Sequence, residues 1–114
     1  MAEDCLFCKI RDGEIPSEIL HRDEHCFVIR DIAPTTPTHL LVIPVQHFTY
    51  LTGLTPEFQH TIGAMFDVAK NMAETEGIVE SGYRLVINQG EQSGQQVPHL
   101  HLHVLGGRAM GSLA

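Results

Sequence analysis

The segment His99-Leu100-His101-Leu102-His103-Val104-Leu105 carries the densest set of reactive side chains in the sequence. Side chains of an extended strand alternate between faces, so the three imidazoles project from one side while Leu100, Leu102 and Val104 take the core side. Imidazoles titrate near neutral pH, and three on one face would repel one another and weaken the sheet if all were charged. A bound anion or a bound metal explains the pattern better than an ordinary polar face. The preceding loop, with Gly90, Ser93 and Gly94 among polar residues, suits a phosphate. Glycine leaves backbone N–H groups open, which would form an anion nest beside the imidazoles.

The cysteines make a second candidate set. Cys5 and Cys8 form a C-x-x-C pair and Cys26 stands alone. The pair reads as a zinc half-site, a redox dithiol or a chance spacing. Redox pairs follow a strand and open a helix, and no strand precedes this one. A zinc tetrahedron needs two further ligands from elsewhere. Cys26 reads as a small buried apolar residue in a strand.

The elements that must position these groups follow from periodicity. Leu6 to Arg11 is a short helical turn. Strands are expected at Glu18 to His21, His25 to Arg30, His39 to Ile43, Tyr83 to Asn88 and His99 to Leu105. Residues 31–38, with Pro34 and Pro37, form a loop. Thr55-Pro56-Glu57 opens a long helix with Thr as N-cap and Pro at the first helical position. Phe58, Ile62, Met65, Phe66, Ala69, Met72 and Ala73 recur at helical spacing as its core stripe, and Gly77 ends it. Five strands with one long and one short helix define the α+β class.

Composition bounds the rest. The 114 residues hold 7 Lys+Arg against 14 Asp+Glu, a formal net charge of −7, with 43% hydrophobic and 18% charged residues. This is one globular domain spanning 1–114. An acidic chain with scattered basic residues argues against nucleic-acid or anionic-membrane partners. No apolar run approaches a membrane span, and the Met1-Ala2-Glu3-Asp4 start lacks the parts of a signal peptide, so a cytoplasmic location is expected.

Taken together, the run from Gly94 to Arg108 resembles the signature of the histidine triad (HIT) superfamily, His-x-His-x-His followed by apolar residues. It is most similar to the HINT branch, the nucleotide-binding phosphoramidases. Phe7, the segments 12–16, 31–34 and 38–44, His47, and Tyr83-Arg84 to Asn88 also fit that branch. The resemblance implies a HIT-like fold: a five-stranded antiparallel sheet with one long and one short helix. It also implies a homodimer, joined through the long helix and the Tyr83 to Asn88 strand into a ten-stranded sheet.

Its implications for function are residue by residue. His101 would be the nucleophile that cleaves nucleoside 5′-phosphoramidates or acyl adenylates, through a covalent nucleotidyl-histidine that water then hydrolyses to AMP. His103 would hydrogen-bond the phosphate oxygens, with Asn88 and the backbone of Gly94, Gln95, Gln96 and Val97 assisting. Asp31 would accept from the ribose hydroxyls, and Phe7, Ile10, Ile29 and Ile32 would line a slot for a purine. No metal is required for this chemistry. Members with the N-terminal C-x-x-C tend to hold a structural zinc, here through Cys5, Cys8, His47 and His99. The competing use of His99 is a relay with His39 that fixes the triad's tautomers, which places both among the catalytic candidates. His21, His25 and His60 read as surface residues.

Two departures from the family pattern bear on selectivity. Gln96 stands where several members carry a Ser, and an amide cannot act as a general acid. The usual Trp-Pro-Pro-Gly type ending is absent. The competing functions are a dinucleoside polyphosphate hydrolase, against which Asn88 argues because that branch typically has Gln there, a nucleotide-binding or interaction module without turnover, and a metalloenzyme with all three triad histidines on zinc.

Overall fold

The computed structural model describes residues 5–113, so the Met1 to Asp4 start behind the signal-peptide reading lies outside the described residues. In chain order the elements are α1 (Leu6–Arg11), β1 (Ile19–Arg22), β2 (Cys26–Arg30), β3 (Thr38–Pro44), α2 (Pro56–Thr75), β4 (Tyr83–Val86) and β5 (Leu102–Gly106). The strands form one antiparallel sheet in the order β1-β2-β3-β5-β4. This is the α+β, five-stranded arrangement expected from the sequence.

Helix α2 begins as its N-terminal residues dictate. The Thr55 hydroxyl accepts from the Phe58 N–H at 3.3 Å and Pro56 occupies the first turn, while Gly77, at φ +72°, follows the helix end. Its buried residues are Met65, Val68, Ala69, Met72 and Ala73. Phe58 and Ile62 pack only partly into the core. Phe66, expected in the stripe, is 42% exposed, and Val68 takes a buried place instead. At 100° per residue, Phe66 falls one position round from Met65 and off the sheet-facing arc.

Both sheet faces are covered. On one, Cys26, Val28, Leu40, Val42, Leu100, Leu102 and Val104 meet α2 in a purely apolar layer. There Cys26 is the buried thiol expected, its pKa pushed up to about 12 chiefly by burial. On the other, Phe27, Ile29, Leu41 and Ile43 pack against Cys5, Phe7, Cys8 and Ile10 of the N-terminal segment. Central strand β3 is therefore buried along its whole length.

Strand boundaries differ from the sequence reading at the ends. β1 is displaced by one residue, with an irregular register between Ile19 and His21. β4 stops at Val86, leaving Ile87 and Asn88 in irregular backbone. β5 begins at Leu102, not at His99, because its ladder with β3 ends at the Val42–Leu102 pair. His99 to His101 form an irregular lead-in, where the His99 N–H turns back to the Val97 carbonyl. The alternation survives this irregularity: Leu100 still lies in the α2 core with Leu102 and Val104. Among the described residues no helix is long and apolar enough to cross a membrane.

Candidate active site

The histidine run divides into two environments. At its start, the His99 ring is fully buried, with Nε2 donating to the Pro44 carbonyl at 2.9 Å. That bond leaves the Nδ1 lone pair facing two thiols, 3.2 Å from Cys5 Sγ and 3.6 Å from Cys8 Sγ. His47 Nδ1 lies 3.2 Å from Cys8 Sγ. Thr49 Oγ1 donates to the Pro98 carbonyl and so can only accept from His47 Nε2, 3.4 Å away, which again leaves Nδ1 free. The four donor atoms lie within 4.8 Å of one another.

This set fits a tetrahedral zinc site on its chemistry: two thiols, two imidazole lone pairs, and both remaining ring nitrogens tied to outer partners. Burial and the neighbouring Cys5 push the Cys8 thiol up to about 11, so a cation would be needed to hold it as thiolate. His99 is pushed down to about 4, first by burial. The relay between His99 and His39 is a correction: His99 faces the cysteines, and His39 has a different partner.

That partner is His103. The Thr35 N–H donates to His39 Nδ1 at 3.2 Å, so neutral His39 carries its proton on Nε2 and donates to His103 Nδ1 at 2.9 Å. His103 must then carry its proton on Nε2. That nitrogen is shielded from solvent and has no partner among the described residues. His101 is set the opposite way round: its Nδ1–H donates to the His99 carbonyl at 2.8 Å, leaving Nε2 with a lone pair. The two rings lie 4.9 Å apart, and Phe7 packs edge-on against His101 at 5.0 Å.

All three imidazoles are held neutral. Burial lowers the pKa of His39 and His101, against the opposing pull of Asp31 on both and of the His99 carbonyl on His101. His103 is pushed down to about 4 by burial first, then by repulsion from His101 and His39.

These rings line a cavity of about 540 Å³. Of the sequence-identified residues, Phe7, Ile10, Ile29, Asp31, Ile32, His39, Asn88, Gly94, Gln96, Val97, His101 and His103 line it too. Ile32 is 97% exposed at the rim. Asp31 holds its own turn, with Oδ1 accepting from the Ala33 N–H at 2.8 Å, while Oδ2 approaches His39 Nε2 at 3.4 Å.

Gln95 departs from expectation. Its side chain accepts from the Gly90 N–H at 2.8 Å and donates to the Val97 carbonyl, folding into its own loop and away from the cavity. The N–H groups of Ser93, Gly94 and Gln95 also bond within that loop, which is wound by a short turn at Glu91–Ser93. The expected nest therefore contracts: among the described residues only Gln96 and Val97 in the segment 94–97 leave N–H groups without a protein acceptor.

Sequence reasoning missed Ile15, Pro16, Ser17 and Leu41 in the cavity wall, and Thr35. The contribution of Thr35 is a main-chain N–H, for which no residue type is a signal.

A covered sheet opening at one end on a cavity with one imidazole lone pair and one orphaned imidazole N–H is a site built around histidines for an anionic ligand. Comparison with known proteins identifies the family. Residues 12–110 match the HIT domain model, and the chain belongs to the HIT domain family. It is 43% identical over 113 residues to the purine nucleoside phosphoramidase of Escherichia coli strain K12, covering 99% of this chain and 95% of that protein. Among solved structures, a HIT family hydrolase from Clostridium thermocellum matches with a TM-score of 0.92 at 42% identity, covering 96% of each chain. A HIT family hydrolase from Legionella pneumophila matches at 0.91 and 44%, covering 95% of this chain and 96% of that one.

Proposed function

We propose that this chain, a hydrolase of the HIT family, cleaves purine nucleoside 5′-phosphoramidates and acyl adenylates through a covalent nucleotidyl-His101, releasing AMP. The observation that carries the reading is the opposite hydrogen bonding of two adjacent rings, which leaves a lone pair on His101 Nε2 beside an N–H on His103 Nε2 that has no partner among the described residues. An anionic phosphate with an electrophilic phosphorus needs both.

His101 Nε2 forms the bond to the α-phosphorus as the P–N bond to the leaving amine breaks. The amine departs with that electron pair and takes its proton from water, since Gln96 has no acidic proton to give. The His99 carbonyl, already accepting from Nδ1–H at 2.8 Å, stabilises the positive charge that develops on His101. The His103 N–H and the free N–H groups of Gln96 and Val97, with Asn88, meet the charge on the phosphoryl oxygens. Water then attacks phosphorus, the P–N bond to His101 breaks, and AMP leaves. Asp31 accepts from the ribose, and the purine lies among Phe7, Ile10, Ile29 and Ile32.

Cys5, Cys8, His47 and His99 would hold a structural zinc. When bound it supplies a closed cross-link between the N-terminal segment and the sheet, with no part in bond making. The same proposal includes a cytoplasmic location and a homodimer. Within the chain β4 is an edge strand, and exposed Phe66 lies on α2, so pairing would cover a free edge and an apolar surface together. A single species of monomer mass in solution would refute the dimer.

The deciding experiment is turnover of adenosine 5′-monophosphoramidate by wild type and His101→Ala at neutral pH, with and without brief chelation. AMP release by the wild type alone, indifferent to chelator, supports the reading. Tight AMP binding without turnover would replace it with a binding module. Activity lost to chelator and restored by zinc without unfolding would move the triad onto the metal.

A further inference from the structure

The donor on His103 depends on a chain of bonds that does not end at His39. Thr35 gives its N–H to His39 Nδ1 at 3.2 Å, and the carbonyl of the same residue accepts from Arg108 Nη2 at 2.9 Å. Arg108 steadies its own segment with a second bond, Nη1 to the Ala109 carbonyl at 2.9 Å. The turn that delivers this guanidinium is fitted to the same loop. Gly107 sits at φ +95°, and a Cβ there would meet Pro37 Cβ at 2.9 Å, so only glycine lets the C-terminal turn lie against residues 35–37.

The consequence is a matter of tautomers. With the Thr35 N–H in place, His39 Nδ1 can only accept, His39 Nε2 donates, and His103 Nε2 carries the proton. If the Thr35 backbone shifts so that its N–H turns away, His39 is free to hold its proton on Nδ1. His103 would then donate from Nδ1 to His39, and its Nε2 would present a lone pair where an anionic phosphate needs a donor. Two groups of the cavity wall thus depend on a loop whose outer side is held by an exposed cation.

We propose that Arg108 is a positioning residue: by holding the carbonyl of Thr35 it fixes that residue's backbone, whose N–H in the preceding peptide unit keeps His39 and His103 in the tautomers that make His103 a hydrogen-bond donor to substrate. The assignment rests on the reaction proposed above for its kinetic consequence. Its structural consequence is a property of the resting protein. Arg108 touches neither the cavity nor the thiol cluster and is exposed, so its replacement opens no core.

The test has two readouts on full-length wild type, Arg108→Ala and Arg108→Lys. Ring ¹⁵N shifts of His39 and His103 at pH 7.5 report the tautomer without substrate. Wild type is expected to show Nδ1 unprotonated on both rings, Arg108→Ala an averaged pattern on both, and Arg108→Lys, which keeps a donor for the Thr35 carbonyl, the wild-type pattern. With adenosine 5′-monophosphoramidate, Arg108→Ala is expected to lower kcat about tenfold with KM within about twofold, the low end of the loss seen when outer partners of metal-bound imidazoles are removed. Merely loosening the loop would instead raise KM and leave both rings in single tautomers, which overturns the proposal. So does an Arg108→Ala protein with wild-type shifts and wild-type kcat. Should the wild type fail to turn over, the reaction reading falls while the ring shifts still decide this one.

Discussion

His99 and His103 are four residues apart on the same side of one segment, yet they do different things. His99 is sealed beneath the N-terminal segment, its free nitrogen aimed at two thiols. His103 borders an open cavity, its proton placed by another imidazole. Residue type and spacing are the same at both ends. What differs is the cover: α1 and the cysteines close one end of the sheet face, and residues 31–35 with the loop 90–97 leave the other open. A repeated functional side chain therefore acquires its role from what folds over it.

The largest expected effect tests the open end. His101→Ala should reduce phosphoramidate turnover by about 10⁴-fold or more, since removing a nucleophile leaves only binding and electrostatic stabilisation. Its thermal midpoint should stay within a few degrees of wild type. A variant that keeps its activity would erase the functional difference between the two ends.

The closed end is tested by stability and metal content. Cys8→Ser should lose bound zinc, measured by elemental analysis, and lower the thermal midpoint by roughly 10 °C or more, because a closed site contributes its binding energy to folding. Zinc retained by that variant would refute the four-ligand assignment.

A smaller effect separates the ends by pH. His103 is neutral in the folded protein down to about pH 4, whereas an unfolded His protonates near its ordinary 6.5. The unfolded state therefore binds more protons between these values, and stability present above pH 6.5 is lost as pH falls towards about 4. Urea midpoints at pH 7 and pH 5 should differ less in His103→Gln than in wild type. Equal differences would mean that His103 is not the half-buried neutral imidazole described.

The smallest effect lies on the opposite face of the sheet, where no chemistry is placed. Thr55→Ala removes the N-cap of α2 and should cost about 1 kcal/mol in urea unfolding. kcat and zinc content should not change. A change in either would show that the two faces are not independent.

Much of this was legible in residue order. The alternation Leu100, Leu102, Val104 against three histidines, and the Thr55-Pro56 start of a helix with an apolar arc, are short-range patterns set by strand and helix geometry. The class and strand count follow from such patterns repeated along the chain, and the resemblance to the histidine triad family rests above all on the run from Gly94 to Arg108. Only the tertiary structure decided the rest. It brings His47 and His99 to the cysteines across more than 35 residues of sequence. It pairs His39 with His103 rather than with His99, and it turns Gln95 into its own loop. It also sets Phe66 outside the core. In each case the deciding partner is a backbone carbonyl, a backbone N–H or a neighbour distant in the chain. Those groups are the same at every residue or invisible to local spacing, so their directions exist only once the sheet is covered.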